Sequence, residues 1–288
     1  MLKTRVITAL ILLALVVPAL LFLPIIGWAL FVLLFVAAAA WEWARLCGLP
    51  HGAALGYGAL TAGAGLTLLF AVNGQTAAFA TPAVYLVSVL AWGGIAAFWA
   101  IRGPAAPHGM LLAVLGWMVL LPCWWAVVQA RAAGALFMFL LMGLIWVADI
   151  AAYFAGRRFG KHKLAPAVSP GKTWEGVAGA MGGAAVLAVL CAATTSASGG
   201  DHDSWFAWLF TYAGRAGLGG MLVALLMVWA LVGFSILGDL FESLLKRRAG
   251  VKDSSGLLPG HGGVLDRIDS LIPTMPLAML IFAVVRPD

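Results

Sequence analysis

The chain has 288 residues, of which 64% are hydrophobic and only 10% are charged. Soluble domains average about 25% charged residues, so this composition excludes an ordinary soluble protein and predicts a polytopic membrane protein. The formal net charge of +6 does not indicate a nucleic-acid partner, because the basic residues lie in short segments between apolar runs.

Nine apolar runs follow one another along the chain. About 20 helical residues cross a bilayer, and backbone groups in lipid must be hydrogen-bonded internally, so we predict an all-α fold of about nine transmembrane helices. The predicted spans are 6–23, 25–41, 53–72, 82–100, 110–129, 134–150, 175–197, 218–238 and 270–286. The first two form a tight hairpin around Pro24; if they are one broken helix, the count is eight.

We expect a single integral membrane domain over residues 1–288. Within it, residues 1–148 supply membrane helices and residues 149–288 form the catalytic half. With the N-terminus in the cytoplasm, all lysines and arginines except Arg131, Arg215 and Arg286 fall on the cytoplasmic side. This asymmetry is the positive-inside pattern, and it predicts a polar site that faces the cytoplasm.

The seventh span has a face of small residues, which favours close packing against another helix. The members of this face are Gly176, Gly179, Ala180, Gly182, Gly183 and Ala184.

The densest group of charges lies between Gly238 and Ser270. Its acids are Asp239, Glu242, Asp253, Asp266 and Asp269, and its bases are Lys246, Arg247, Arg248, Lys252 and Arg267. An acid beside lipid is costly unless it is paired or binds a cation, and Mg²⁺ favours carboxylates together with substrate phosphates. We therefore predict a magnesium site at Asp239 and Asp266. Glu242 and Lys246 are also spaced as an ordinary helical ion pair.

A glycine-rich turn over residues 257–263 follows this helix. Glycines allow backbone N–H groups to approach a phosphate closely, so Gly262 and Gly263 are candidates for substrate binding. His261 has two interpretations, a contact to phosphate or base and a structural role in the turn.

A second polar cluster separates the sixth and seventh spans. It begins at Asp149, continues through basic residues at 157–163 and ends with Ser169, Lys172 and Thr173. The Gly-Lys-Thr triplet is not a P-loop, because Pro166 stands where that motif requires glycine. The cluster predicts an anion site at a helix N-terminus; its basic residues also suit a loop that contacts anionic lipid.

The segment from Ser243 to Asp269 reads S-x-L-K-R-x4-K-D-x-S-x2-L-P-x-H-G-G-V-x-D-R-I-D. It resembles the full signature of the phosphatidate cytidylyltransferases, also called CDP-diacylglycerol synthases, without a departure over its 27 positions. Residues 169–176 and 149–156 resemble further conserved segments of that family. Residues before 149 are similar only in their hydropathy.

The resemblance implies that CTP and phosphatidate react to CDP-diacylglycerol and pyrophosphate in phospholipid biosynthesis. It also implies Mg²⁺, with K⁺ as a second cation, a homodimer, and a cytoplasm-facing cavity in the bacterial inner membrane. The metal ligands carried over are Asp239, Asp266 and, with less support, Asp149.

Phosphatidate is already an oxyanion, so catalysis depends on positioning and charge neutralisation rather than on a strong base. The candidate catalytic residues are Asp239, Lys246, Arg247, Lys252, Asp266 and Arg267. The candidate substrate-binding residues are Ser169, Lys172, Thr173, Ser243, Asp253, His261, Gly262, Gly263 and Asp269. We expect the triphosphate to bind at Lys246, Arg247, Lys252 and Arg267. We expect the lipid phosphate to bind at Ser169, Lys172 and Thr173.

Three other classes of protein are alternatives, and one of them, a CDP-alcohol phosphotransferase, would need an aspartate-rich box with an embedded Ala-Arg that the sequence lacks. A CTP-dependent lipid kinase of the polyprenol or phytol type needs a base for a neutral hydroxyl and should lack the full signature. A transporter places its polar residues in mid-span at broken helices, whereas the acids here cluster at span ends.

Overall fold

A computed structural model describes residues 2–71, 82–96, 98, 109–197 and 205–285. The first half contains α1 (Leu2–Phe22), α2 (Ile25–Leu46), α3 (His51–Ala71), α4 (Pro82–Ala91) with a π-helical turn (Trp92–Ala96), and α5 (Gly109–Ala133). The second half contains α6 (Ala135–Phe159), β1 (Lys163–Ala165), β2 (Ser169–Thr173), α7 (Trp174–Ala197), α8 (Trp205–Arg215), α9 (Gly217–Arg248), α10 (Leu265–Ile268) and α11 (Leu271–Val285). The protein is an all-α polytopic membrane protein with one small hairpin.

Eight helices within the described residues are long and apolar enough to cross a membrane, and Pro82–Gly94 is a shorter apolar helix. Together they match the nine predicted runs. The end of the predicted fourth span, at 99–100, and residue 286 lie outside the described residues. The first two runs form two separate helices, with Leu23 and Pro24 between them. The alternative of one broken helix is therefore wrong.

Two helices extend well beyond their predicted spans. The helix α6 continues to Phe159 and α9 continues to Arg248. Both extensions carry charged residues, which the apolar runs do not include. The continuation of α9 agrees with the helical spacing of Glu242 and Lys246, whereas the continuation of α6 was not predicted. Both Asp149 and Asp239 are therefore held by regular backbone geometry.

The core of the N-terminal half is built from aromatic side chains. Trp43 and Trp124 are fully buried, and their indole N–H groups donate to the carbonyl oxygens of Leu112 (2.8 Å) and Ala29 (2.9 Å). A buried polar group without a partner is costly, so these bonds allow large side chains to join α2 to α5. Phe241 of α9 packs against Trp43 and thereby joins the two halves of the chain.

The predicted small-residue face of α7 is confirmed at Gly179 and Gly183 and is wrong at Gly182. A methyl group at Gly179 would collide with Cβ of Ala155, and one at Gly183 would lie 2.7 Å from Cβ of Ala151. Gly182 is different, because nothing lies within 4 Å of its added Cβ. The close contact of α6 and α7 places the β-hairpin between them at one end of the bundle.

Candidate active site

A cavity of about 490 Å³ lies between α6, the β-hairpin, α7 and α9. Its polar lining residues are Asp149, Tyr153, Arg157, Ser169, Lys172, Thr173, Ser235 and Asp239. The two polar segments identified in the sequence therefore meet, although about 65 residues separate Lys172 from Asp239. Apolar residues such as Ala148 and Ile236 complete the wall, so one cavity presents charges and a lipid-like surface together.

Lys172 and Asp239 form an ion pair in this cavity, with 2.6 Å between Nζ and Oδ2. Ser243 donates a hydrogen bond of 3.3 Å to the other oxygen of Asp239. The side chains of Lys172 and Asp239 are 24% and 35% exposed, so ligands can reach both. Local structure fixes Lys172, because β2 pairs with β1 and Thr173 accepts the N–H of Gly176 (3.1 Å) to cap α7.

The ammonium group of Lys172 lies in the field of three acids. Its charge interacts with those of Asp149 and Asp269, and each of these acids also interacts with Asp239. Within the described residues, no three His, Cys, Asp or Glu side chains form a ready-made metal site. Mg²⁺ is commonly held by one or two carboxylates plus substrate phosphates, so Asp149 and Asp239 fit a cation that arrives with a nucleotide.

Asp266 lies in a different, more buried polar network. Lys246 forms ion pairs with Glu242 and with Asp266, the latter at 2.6 Å. Asp266 also accepts the N–H groups of Ser254 (2.9 Å) and Gly263 (2.8 Å) and the hydroxyl of Ser254 (2.9 Å). Its Oδ2 atom thus holds the 252–264 loop, while its Oδ1 atom accepts from Lys246 of α9. Its predicted role as a metal ligand is untested; in this structure it binds the loop.

The glycine turn needs its glycines for two reasons. Gly260 and Gly262 have φ angles of +77° and +85°, which only glycine adopts without strain. A methyl group on Gly262 would lie 2.6 Å from Oδ2 of Asp266. The turn is closed by the N–H of Leu258 bonding to the carbonyl of Gly262 at 2.9 Å.

Several predicted site residues line a second, wider basin of about 730 Å³ on the outer side of this turn. They are Lys252, Asp253, His261, Gly262 and Arg267, joined by Thr4 and Arg5 of α1. The basin and the Lys172–Asp239 cavity have no lining residue in common. Arg247 belongs to neither and donates to the carbonyl of Val168 (3.4 Å) beside the hairpin.

The chain matches the model of the cytidylyltransferase family over residues 3–285. It belongs to that family. A phosphatidate cytidylyltransferase of Pseudomonas aeruginosa is 41% identical over 98% of both chains, and one of Haemophilus influenzae is 33% identical over 96% of both. A third, from Bacillus subtilis, is 38% identical over 52% of this chain. The similarity therefore reaches the first half, where the sequence motifs gave only a likeness in hydropathy.

Sequence reasoning missed one residue of this cytidylyltransferase-family protein, Glu42. Its fully buried carboxylate accepts the hydroxyls of Ser254 (3.1 Å) and Ser255 (2.5 Å) and the backbone N–H groups of Val264 (3.0 Å) and Leu265 (2.6 Å). Glu42, on the distant helix α2, therefore binds both ends of the 252–264 loop. A lone acid inside an apolar run, Trp41-Glu42-Trp43, was the available signal.

Proposed function

We propose that this protein is a phosphatidate cytidylyltransferase, which converts CTP and phosphatidate into CDP-diacylglycerol and pyrophosphate. The observation that carries the proposal is the accessible Lys172–Asp239 pair in a cavity whose wall is partly apolar. Such a cavity can receive a charged headgroup and the start of an acyl chain. The names of the relatives from Pseudomonas aeruginosa and Haemophilus influenzae support this reaction.

The reaction joins two anions, so this protein must bring them together against their repulsion. A phosphate oxygen of phosphatidate attacks the α-phosphorus of CTP, the bond to the bridging oxygen breaks, and pyrophosphate leaves with that electron pair. We assign Lys172 to the lipid phosphate, with Ser169 and Thr173 beside it. Arg157 lines the same cavity and offers a charge to the triphosphate. No proton transfer is needed at the attacking oxyanion.

We assign the magnesium ion to Asp239 and Asp149, which line the cavity. A magnesium ion held there would supply positive charge that offsets the negative charge of the reacting phosphates. Asp269 interacts electrostatically with Asp239 and is the candidate for retaining a second cation such as K⁺. Lys172 would exchange Asp239 for the lipid phosphate when phosphatidate binds, since its side chain is accessible.

We further propose that the cavity faces the cytoplasm of a bacterial inner membrane. CTP is a soluble cytoplasmic nucleotide, and the basic residues at this end of the bundle agree with the positive-inside pattern. A homodimer is also expected, and no nucleic-acid partner is.

Turnover by the purified protein tests the proposed reaction. The protein in detergent receives CTP, phosphatidate and Mg²⁺, and pyrophosphate and the lipid product are measured. We expect pyrophosphate and CDP-diacylglycerol in equal amounts, and their loss in the Lys172→Met variant. Formation of CDP instead would identify a lipid kinase, and the absence of both products from a folded preparation would favour a transporter.

A further inference from the structure

The helix α1 is fastened to the rest of the molecule at both ends. Near its start, the hydroxyl of Thr8 donates to the carbonyl of Pro259 (2.7 Å), and Arg5 packs on Gly260. Near its end, Arg131 of α5 donates to the carbonyl of Leu20 (2.5 Å). These contacts attach α1 to the glycine turn on one side of the bundle and to α5 on the other.

Between the two attachments, α1 stands away from the bundle and leaves an apolar groove of about 440 Å³. Representative lining residues are Leu12, Val16, Phe31, Phe35, Met142 and Trp146. The groove follows α1 from Ala9 to Leu20, a length of about 17 Å at 1.5 Å per residue. One leaflet of a bilayer has a hydrocarbon depth of about 15 Å, so the groove matches one acyl chain.

The polar end of this groove opens into the basin described above. Leu258, His261 and Arg267 line both spaces, so a single ligand can occupy them together. Within the described part of the chain, the side chains of Arg5, Lys252 and Arg267 have no hydrogen bond or ion pair, and Asp253 is the only acid that lines the basin. The buried Nδ1 atom of His261 also has no hydrogen-bond partner.

We propose that this groove and basin bind one anionic phospholipid of the bilayer, separately from the Lys172–Asp239 cavity. One acyl chain lies along α1, and the phosphate lies among Arg5, Lys252 and Arg267. Three unpaired cations beside one carboxylate favour an anion, and the adjoining apolar groove favours a ligand with a hydrocarbon chain. A free nucleotide would leave the groove unused, and an apolar helix of another protein would leave the cations unpaired.

The site is tested by counting bound lipid, without any turnover. Protein from nanodiscs of phosphatidylcholine with a minor fraction of phosphatidylglycerol is released in the mass spectrometer, and retained lipids are identified. We expect the wild type to retain one phosphatidylglycerol in preference to phosphatidylcholine. The Val16→Trp variant should lose it because the indole fills the groove, whereas Leu15→Trp should retain it because Leu15 is 52% exposed on the outer face of α1.

Removal of one charge gives a second, independent test that leaves the groove intact. One basic residue near a membrane contributes about 1 kcal/mol to the binding of anionic lipid, so Arg5→Ala should lower the preference for phosphatidylglycerol about 5-fold. Size-exclusion profiles confirm that each variant is folded. Equal retention of phosphatidylglycerol and phosphatidylcholine by the wild type, or unchanged retention in both Val16→Trp and Arg5→Ala, would overturn the proposal.

Discussion

Two aspartates of the signature region differ in what surrounds them. Asp239 pairs with Lys172 in an accessible cavity, and exposed ion pairs contribute only about 0–1 kcal/mol to stability. Asp266 accepts four bonds in a more buried network that holds a loop. We infer that Asp239 is retained for binding and chemistry, whereas Asp266 also has a structural task.

Replacing the two aspartates should separate these tasks. Asp239→Asn should lower turnover at least about 100-fold, the scale of a lost charge-stabilising group, and leave the melting temperature unchanged. Asp266→Asn should lower the melting temperature as well, because the amide nitrogen cannot accept a hydrogen bond, so that either the bond from Lys246 or the bonds from Ser254 and Gly263 are lost. Turnover at limiting Mg²⁺ and thermal unfolding in detergent measure both effects. Near-normal turnover of Asp239→Asn would remove it from the magnesium site.

Replacing Glu42, which is remote in sequence from the signature, tests whether its hydrogen bonds hold the 252–264 loop in place. Glu42→Gln replaces an acceptor oxygen with a donor, so buried N–H or O–H groups lose their partner at about 1–3 kcal/mol each. We expect a lower melting temperature and weaker turnover. Ser255→Ala removes one of the four bonds and should show a smaller loss. An unchanged melting temperature for Glu42→Gln would show that the loop is held in another way.

At the scale of elements, the position of Lys172 depends on how closely α6 and α7 approach. Gly156 and Gly176 bring the two helices together beside Thr173, since an added Cβ at Gly176 would lie 3.1 Å from the carbonyl oxygen of Ala152. The hairpin that carries Lys172 connects these helices. A change of their separation is therefore transmitted directly to the distance between Lys172 and Asp239.

A pair of glycine variants tests this dependence. Gly179→Leu forces a side chain against Ala155 and Ala151, and overpacking of this kind costs about 1–3 kcal/mol. We expect a lower melting temperature and reduced turnover. Gly182→Leu is the matched control on the same helix, because its Cβ meets open space, and it should behave like the wild type. Equal behaviour of the two variants would disprove the close-packing role of Gly179.

For the whole molecule, the charged segments gather at one end of the bundle and Arg131 lies at the other, beside the end of α1. The bulk of the positive charge at the first end predicts that it faces the cytoplasm. A soluble nucleotide and a membrane lipid meet most simply where charged helix ends emerge from the bilayer. Orientation and function are therefore linked predictions.

Single-cysteine labelling measures this orientation. In a background without Cys47, Cys123 and Cys191, cysteines at Ala167 or Gly256, both exposed, should resist an impermeant reagent added outside intact cells. A cysteine at Ala132, which is exposed at the opposite end, should react. Permeabilised cells should label at all three positions. Labelling of cysteines at positions 167 and 256 from outside would contradict the predicted orientation and show the opposite one.

Patterns within the sequence were enough to predict the membrane fold, the number of apolar runs and the two polar segments. These features depend only on residues that are close together in the sequence. A continuous apolar run predicts a membrane helix, and the motif from Ser243 to Asp269 is a single contiguous segment. The small-residue face of α7 could also be predicted, because its small residues recur at the spacing of a helix. Hydropathy ended the sixth span at residue 150, since it does not register charged turns that continue a helix. The helical spacing of Glu242 and Lys246, by contrast, predicted the continuation of α9.

Which charges face one another could not be predicted, because it depends on the packing of distant helices. Lys172 forms an ion pair with Asp239, and Lys246 forms one with Asp266. Lys252 and Arg267 line a separate basin together with Arg5 of α1. The sequence placed Asp239, Lys246, Lys252, Asp266 and Arg267 in one group because they are neighbours along the chain. Glu42 went unnoticed for the same reason, since its partners lie more than 200 residues away. Opposite faces of a helix point to different neighbours, and the packing of distant helices determines what those neighbours are.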